Sequence, residues 1–170
     1  MKNNIVLIGM PGAGKSTIGV VAAKMLGYDF LDSDLEIQRQ YGKTLPQLLQ
    51  EYGTEGFNQI ENEVNAGLNC RRTVIATGGS VIYGQQAMEQ LAKLGHIVYI
   101  RLSFEEIERR LGDLRQRGVS IKEGMSLRDL YEERVPLYEH HAELIFEAER
   151  YDLRESAEVL VRQLAQQIEL

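Results

Sequence analysis

Residues 9–17 read GMPGAGKST, which fits G-x-x-x-x-G-K-[ST] from Gly9 through Gly14, Lys15 and Ser16. No other stretch limits the fold so tightly, because this motif works only between a strand and a helix. The flanks supply both. NIVLI (4–8) is a short apolar run of strand character, and TIGVVAAKML (17–26) carries apolar residues at helical spacing. Glycines let successive backbone N–H groups turn toward a phosphate, and the helix N-terminus adds its positive end. Lys15 can then reach the β and γ phosphates, and the Ser16 hydroxyl can hold Mg²⁺. Gly12, Ala13, Gly14, Lys15, Ser16 and Thr17 are therefore expected to cradle a nucleoside triphosphate.

Further apolar runs follow at YDFL (28–31), TVIA (73–76), HIVYIRL (96–102) and ELIF (143–146), separated by helical patterns. That alternation predicts an α/β fold with a largely parallel sheet. Three helix starts read as capping boxes: Ser33 with Glu36, Ser103 with Glu106, and Ser126 with Asp129. A last helix over 155–168 presents Ala157, Leu160, Val161, Leu164 and Ile168 on one side, a stripe suited to packing on the sheet. The 170 residues suffice for one core and show no linker, so 1–170 is expected to form one domain.

Composition excludes several partners. A net charge of −6 and a pI near 5.2 argue against a broad nucleic-acid surface. No apolar run is long enough for a membrane span, and the chain enters a strand without room for a signal peptide. Cys70 stands alone, so a reducing cytoplasm is the expected setting. His96, His140 and His141 lack metal-ligand partners at useful spacing, and Tyr131 with Tyr138 reads as helix packing.

The acceptor of the phosphate is sought elsewhere. FLDSD (30–34) places Asp32 and Asp34 at the carboxyl end of the second strand, on the ligand side of a parallel sheet. Asp32 suits a place in the Mg²⁺ shell, and Asp34 suits accepting a proton or hydrogen bond from an attacking hydroxyl. As a plain helix N-terminal acid Asp34 would also be favourable. The segment 112–124, GDLRQRGVSIKEG, is basic, glycine-bounded and aperiodic, and reads as a lid over the triphosphate or a solvated loop.

GMPGAGKST, FLDSD, GKTLPQLLQEYGTEGFNQIE (42–61), ATGGS (76–80), Arg117 and ERVPLYE (133–139) together resemble the shikimate kinases over nearly the whole chain. The resemblance implies a P-loop, nucleoside-monophosphate-kinase-like three-layer fold with five parallel strands in the order 2-3-1-4-5. It implies ATP and Mg²⁺, a small hydroxylated acid as acceptor, an acceptor-binding region near 33–61 and a mobile lid. By motif match Asp34 holds ring hydroxyls, Gly78, Gly79 and Ser80 border the acceptor, and Arg134 pairs with its carboxylate. Arg117 reaches from the lid to the transferring phosphate, while Arg110 and Arg150 lie near the adenine. A monomer is expected.

Three positions depart from that pattern. Asn58 stands where the family has an arginine, Ser80 replaces the third glycine after the third strand, and Arg117 is followed by Gly118 and Val119. An arginine grips a carboxylate with two charged hydrogen bonds, whereas asparagine offers one neutral amide. The expectation is a kinase for shikimate or for a related polyol or hydroxy acid. A regulatory nucleotide-binding protein fits less well, because Lys15, Ser16, Asp32, Asp34, Arg117 and Arg134 are all present. The lack of N-K-x-D and D-x-x-G motifs argues against a switch GTPase.

Overall fold

The computed structural model describes residues 2–111 and 119–167. Arg115, Arg117, Gly118 and Ile168 thus lie outside the described residues, as does more than half of the expected lid. Five parallel strands form one sheet in the order β2-β3-β1-β4-β5, as expected. They are β1 (Asn4–Ile8), β2 (Asp29–Asp32), β3 (Thr73–Ala76), β4 (Gly95–Arg101) and β5 (Leu144–Glu147). All five residues of β1 are buried, which is why NIVLI shows no polar alternation: it is covered on both faces.

The helices are α1 (Lys15–Leu26), α2 (Ser33–Tyr41), α3 (Leu45–Ala66), α4 (Gln85–Leu94), α5 (Phe104–Leu111), α6 (Leu127–His141) and α7 (Leu153–Gln167). The strand order assigns their layers. The β1–α1–β2 crossover runs in one direction across the sheet, and those through α3, α4 and α6 run in the other. Right-handed crossovers therefore place α1 on the face opposite α3, α4 and α6. The last helix, α7, packs against α1 rather than directly on the sheet, and Ala157, Leu160 and Leu164 complete the core there. Val161 is only partly buried.

A second, small core of Ile37, Leu48, Phe57, Ile60 and Val64 joins α2 to α3. This gives the region around 33–61 its own apolar support. Helix α3 is broken at Gly53, whose φ of 68° and ψ of −179° interrupt the helical ladder. The break re-aims the half that carries Thr54, Phe57, Asn58 and Glu61.

The capping expectations hold in part. Ser126 and Asp129 form the full reciprocal box at α6. At α5 the box is half made: Ser103 Oγ accepts from Glu106 N at 3.3 Å, but the Glu106 carboxylate turns to Arg109 and Arg110. At α2 the cap is Asp32, not Ser33. Asp32 is the last residue with extended backbone, and its Oδ1 accepts from Asp34 N at 3.0 Å. An aspartate at that junction caps as well as a serine.

One buried side chain ties the amino ends of three strands together. Asn4 is 1% exposed; its Nδ2 donates to Cys70 O and Leu94 O, both at 2.9 Å, and its Oδ1 accepts from Thr73 N at 3.0 Å. Asn4→Ala strands these three backbone groups, each worth about 1–3 kcal/mol when buried without a partner. Chemical denaturation is expected to show a loss of about 2–4 kcal/mol, and Asn4→Leu no recovery despite similar volume. A loss below about 0.5 kcal/mol for Asn4→Ala would mean water replaces the asparagine.

Candidate active site

Because the sheet is parallel, the loops leaving β1, β2 and β3 emerge on one edge, with Leu7 and Asp32 both in register with Ala76. They open into a cavity of about 980 Å³. Gly12, Gly14, Lys15, Ser16 and Thr17 line its phosphate end, Asp34, Gly78, Gly79, Ser80 and Arg134 its other end, and Arg110 its rim. Ala13 is 1% exposed and supports the loop from behind. Asp32 reaches the cavity through Ser16, whose Oγ donates to Asp32 Oδ2 at 2.6 Å. Arg150 is exposed and does not line the cavity; Tyr151 to Arg154 do. Asn58 is likewise absent from the lining.

Each charged group is placed by backbone. Lys15 begins α1 and donates to Gly9 O and Met10 O, both at 2.8 Å. Burial, opposed by the neighbouring Asp34, pulls its pKa down to about 8, so it stays largely charged at neutral pH. Asp34 sits in the first turn of α2. Burial first, then the charge of Asp32, push its pKa up to about 6 against the opposing Lys15. Arg134 is 1% exposed; Nη2 donates to Ser120 O at 2.6 Å and Nε to Tyr83 Oη at 3.3 Å. The segment ATGGS follows β3 directly, and Thr77 N and Oγ1 both donate to Leu7 O, at 3.1 and 2.9 Å.

Two glycines there are required by close approach. A Cβ on Gly78 would lie 2.7 Å from Asp34 Oδ1 and closer still to Glu61 Oε1. A Cβ on Gly79 would lie 2.7 Å from Pro11 Cδ and 2.9 Å from Arg134 Nη1. Ser80 is accommodated as the third residue with its Oγ donating to Glu61 Oε2.

Glu61 was not legible as a site residue. It is 1% exposed, lines the cavity beside Asp34, and its Oε1 has no hydrogen-bond partner among the described residues. Burial first, then Asp34, push its pKa up to about 7, with Ser80, Arg134 and Lys15 opposing. A signal existed: Glu61 falls four residues after Phe57 on the buried stripe Phe57, Ile60 and Val64, where a carboxylate is out of place. Tyr138 also does more than pack. It stacks on Tyr99 at 5.1 Å, and its hydroxyl donates to Gly79 O at 2.5 Å, bracing the glycine pair. Tyr131 matches the packing expectation, donating to Leu102 O at 2.9 Å and meeting Phe104 edge-on.

A phosphate loop on β1, a 2-3-1-4-5 sheet and a second ligand corner facing the loop define a P-loop kinase of the nucleoside-monophosphate-kinase-like class. The solved structure of a deoxyadenosine kinase from M. mycoides shares that fold at a TM-score of 0.62 and 16% identity, over 96% of this chain and 98% of that one. Closer likenesses narrow the class. The family model described as shikimate kinase matches residues 11–165. A shikimate kinase of Thermobifida fusca is 38% identical over 94% of this chain and 93% of its own length. The structure of a shikimate kinase from Acinetobacter baumannii in complex with shikimate superposes with a TM-score of 0.88 at 34% identity, over 98% of this chain and 94% of that one. The chain belongs to the shikimate kinase family, and it is an ATP-dependent small-molecule kinase.

The buried Glu61 makes a pH prediction about stability. Its folded pKa of about 7 lies above the ordinary 4.5, so the folded state holds a proton that the unfolded state releases. The stability this proton supplies is full below about 4.5 and lost as pH rises through about 7. Glu61→Gln removes that dependence. Denaturant unfolding of the two proteins is expected to show wild type losing about 2–3 kcal/mol against the variant between pH 4.5 and 8. Parallel stability curves would mean that Glu61 is charged and compensated at all these pH values.

Proposed function

We infer that this enzyme transfers the γ-phosphoryl group of ATP to a ring hydroxyl of shikimate, giving shikimate 3-phosphate. The carrying observation is that one cavity joins the phosphate-loop motif to a corner holding a cation, Arg134, and two acids, Asp34 and Glu61, groups suited to a carboxylate and to hydroxyls. Shikimate presents those complements, a carboxylate and ring hydroxyls. The family relationship and the shikimate-bound relative from Acinetobacter baumannii point to the same acceptor.

Each residue then has a physical task. The turn from Gly12 to Thr17 offers its N–H groups to the triphosphate, and Lys15 sets a positive charge where negative charge shifts during transfer. Asp34 orients the attacking hydroxyl and takes its proton. Arg134 fixes the acceptor by its carboxylate, which turns the reaction into an in-place displacement. Arg110 is tied to Glu106 at 2.6 Å and leans over Gly14, in position to cover the nucleotide together with Tyr151 and Leu153. Arg117 is assigned the transferring phosphate, within a lid over about 112–124, and the region near 33–61 the acceptor.

Mg²⁺ fits the residues present. Ser16 Oγ and Asp32 Oδ2 set two hard oxygens 2.6 Å apart at the mouth of the loop. Among the described residues no group of three or more His, Cys, Asp or Glu side chains could hold a metal ion. That sparse set suits Mg²⁺, which keeps waters and takes phosphate oxygens as its other ligands. When bound there, Mg²⁺ supplies charge neutralisation to the phosphates. No helix among the described residues is long and apolar enough to cross a membrane. With the lone Cys70 unpaired in a disulfide, a monomer working in the cytoplasm is the setting we propose.

The test is shikimate-dependent ADP release. Asp34→Asn is expected to lose about a hundred- to ten-thousandfold in kcat while ATP still binds. In wild type kcat/KM should fall below pH about 6 as Asp34 gains its proton, and above about 8 as Lys15 loses its own. No shikimate-dependent release by wild type would overturn the acceptor assignment and leave the kinase class standing.

A further inference from the structure

Asn58 occupies the position at which the family pattern carries an arginine, yet it does not line the cavity. Its Oδ1 accepts from Ser120 Oγ at 2.9 Å, across 62 residues of chain. One helical turn earlier, on the same face of α3, Thr54 Oγ1 donates to Ile121 O at 3.2 Å. Two side chains of α3 therefore pin two consecutive residues, and Val119 and Ser120 are buried at 8% and 5% exposure. The pinned backbone has a further contact. Ser120 O is the acceptor for Arg134 Nη2 at 2.6 Å. Tyr83 Oη accepts from Nε of the same guanidinium at 3.3 Å, and Nη1 faces the Gly79 backbone.

We propose that Asn58 is a positioning residue that acts on the acceptor through Ser120 and Arg134 instead of touching it. The chain of contacts runs from the Asn58 amide to the Ser120 hydroxyl, and from the Ser120 carbonyl to the Arg134 guanidinium. A planar guanidinium gives its two parallel hydrogen bonds only when its plane is aligned with the carboxylate. Arg134 is the guanidinium to which this applies, buried at the acceptor end of the cavity. Holding it from two sides lowers the ordering cost that a mobile fork would bring to binding. This inference rests on the reading above that the acceptor carries a carboxylate.

The variants are Asn58→Ala, Ser120→Ala and their double. Ser120→Ala removes the hydroxyl while keeping the carbonyl that meets Arg134. Each single variant is expected to raise the KM for shikimate about three- to tenfold, the worth of one neutral hydrogen bond. Values of kcat and of KM for ATP should stay within about twofold. Because both substitutions break one link, the double variant should be no worse than either single one. Multiplying fold-changes, or a fall in kcat without a rise in KM, would overturn the inference. Asn58→Arg separates it from direct acceptor binding: an arginine cannot accept from Ser120, so the KM should not improve. A tenfold lower KM would show that position 58 reaches the acceptor and would overturn the inference. Amide hydrogen exchange at 119–121, without any acceptor, should speed up in Asn58→Ala. Unchanged exchange there would overturn the anchoring even if wild type failed to use shikimate.

Discussion

The structure turns on a set of buried charges that none of its members could sustain alone. Asp34, Glu61 and Arg134 crowd two glycines at the carboxyl edge of the sheet, and the charge of Lys15 acts on both acids. An isolated buried charge is costly enough that the group would give it up. Together the cations and acids partly compensate one another, with the acids shifted upward and the lysine downward by burial. The residual imbalance is useful. It leaves Asp34 near the pKa a proton acceptor needs at neutral pH, and leaves Lys15 charged.

Around this set, packing serves orientation more than bulk stability. Asp32 shows how economical the arrangement is: Oδ1 caps α2 while Oδ2 accepts from Ser16. The start of α2 and the Ser16 hydroxyl are thereby locked to one carboxylate. Tyr138 joins the sheet core, through Tyr99, to the Gly79 carbonyl, so that the glycine turn is braced from behind. The small core shared by α2 and α3 supports the elements that carry Asp34 and Glu61, while α3 is also held against α4.

Much of the fold was legible because its signals are local. A buried parallel strand is a continuous apolar run, and five such runs alternate with helical patterns, so the α/β class follows from periodicity alone. The strand order came with the family resemblance and stands in the structure. Boundaries moved by about a residue. The α2 cap passed from Ser33 to Asp32, because which residue keeps extended backbone at the junction is decided by where the strand stops pairing.

At the candidate site, the phosphate-loop motif was readable residue by residue, since it is one contiguous turn whose glycines, lysine and serine are adjacent in sequence. The acceptor corner was readable only in part, because it assembles groups from α2, α3, the turn after β3 and α6. Asn58 carries the lesson. Sequence position placed it at the carboxylate, but the turn of α3 beyond Gly53 points its amide to Ser120 instead. Glu61, silent in the sequence reading, lies in the cavity because the same half-helix brings it against Gly78. The sequence by itself determined the class of fold, the strand–loop–helix turn at Gly9–Thr17 and the order of the motifs, all of which depend on near neighbours along the chain. Only the tertiary structure decided which carboxylates line the cavity and what holds Arg134, because those contacts join residues tens of positions apart whose side-chain directions depend on how the helices are docked.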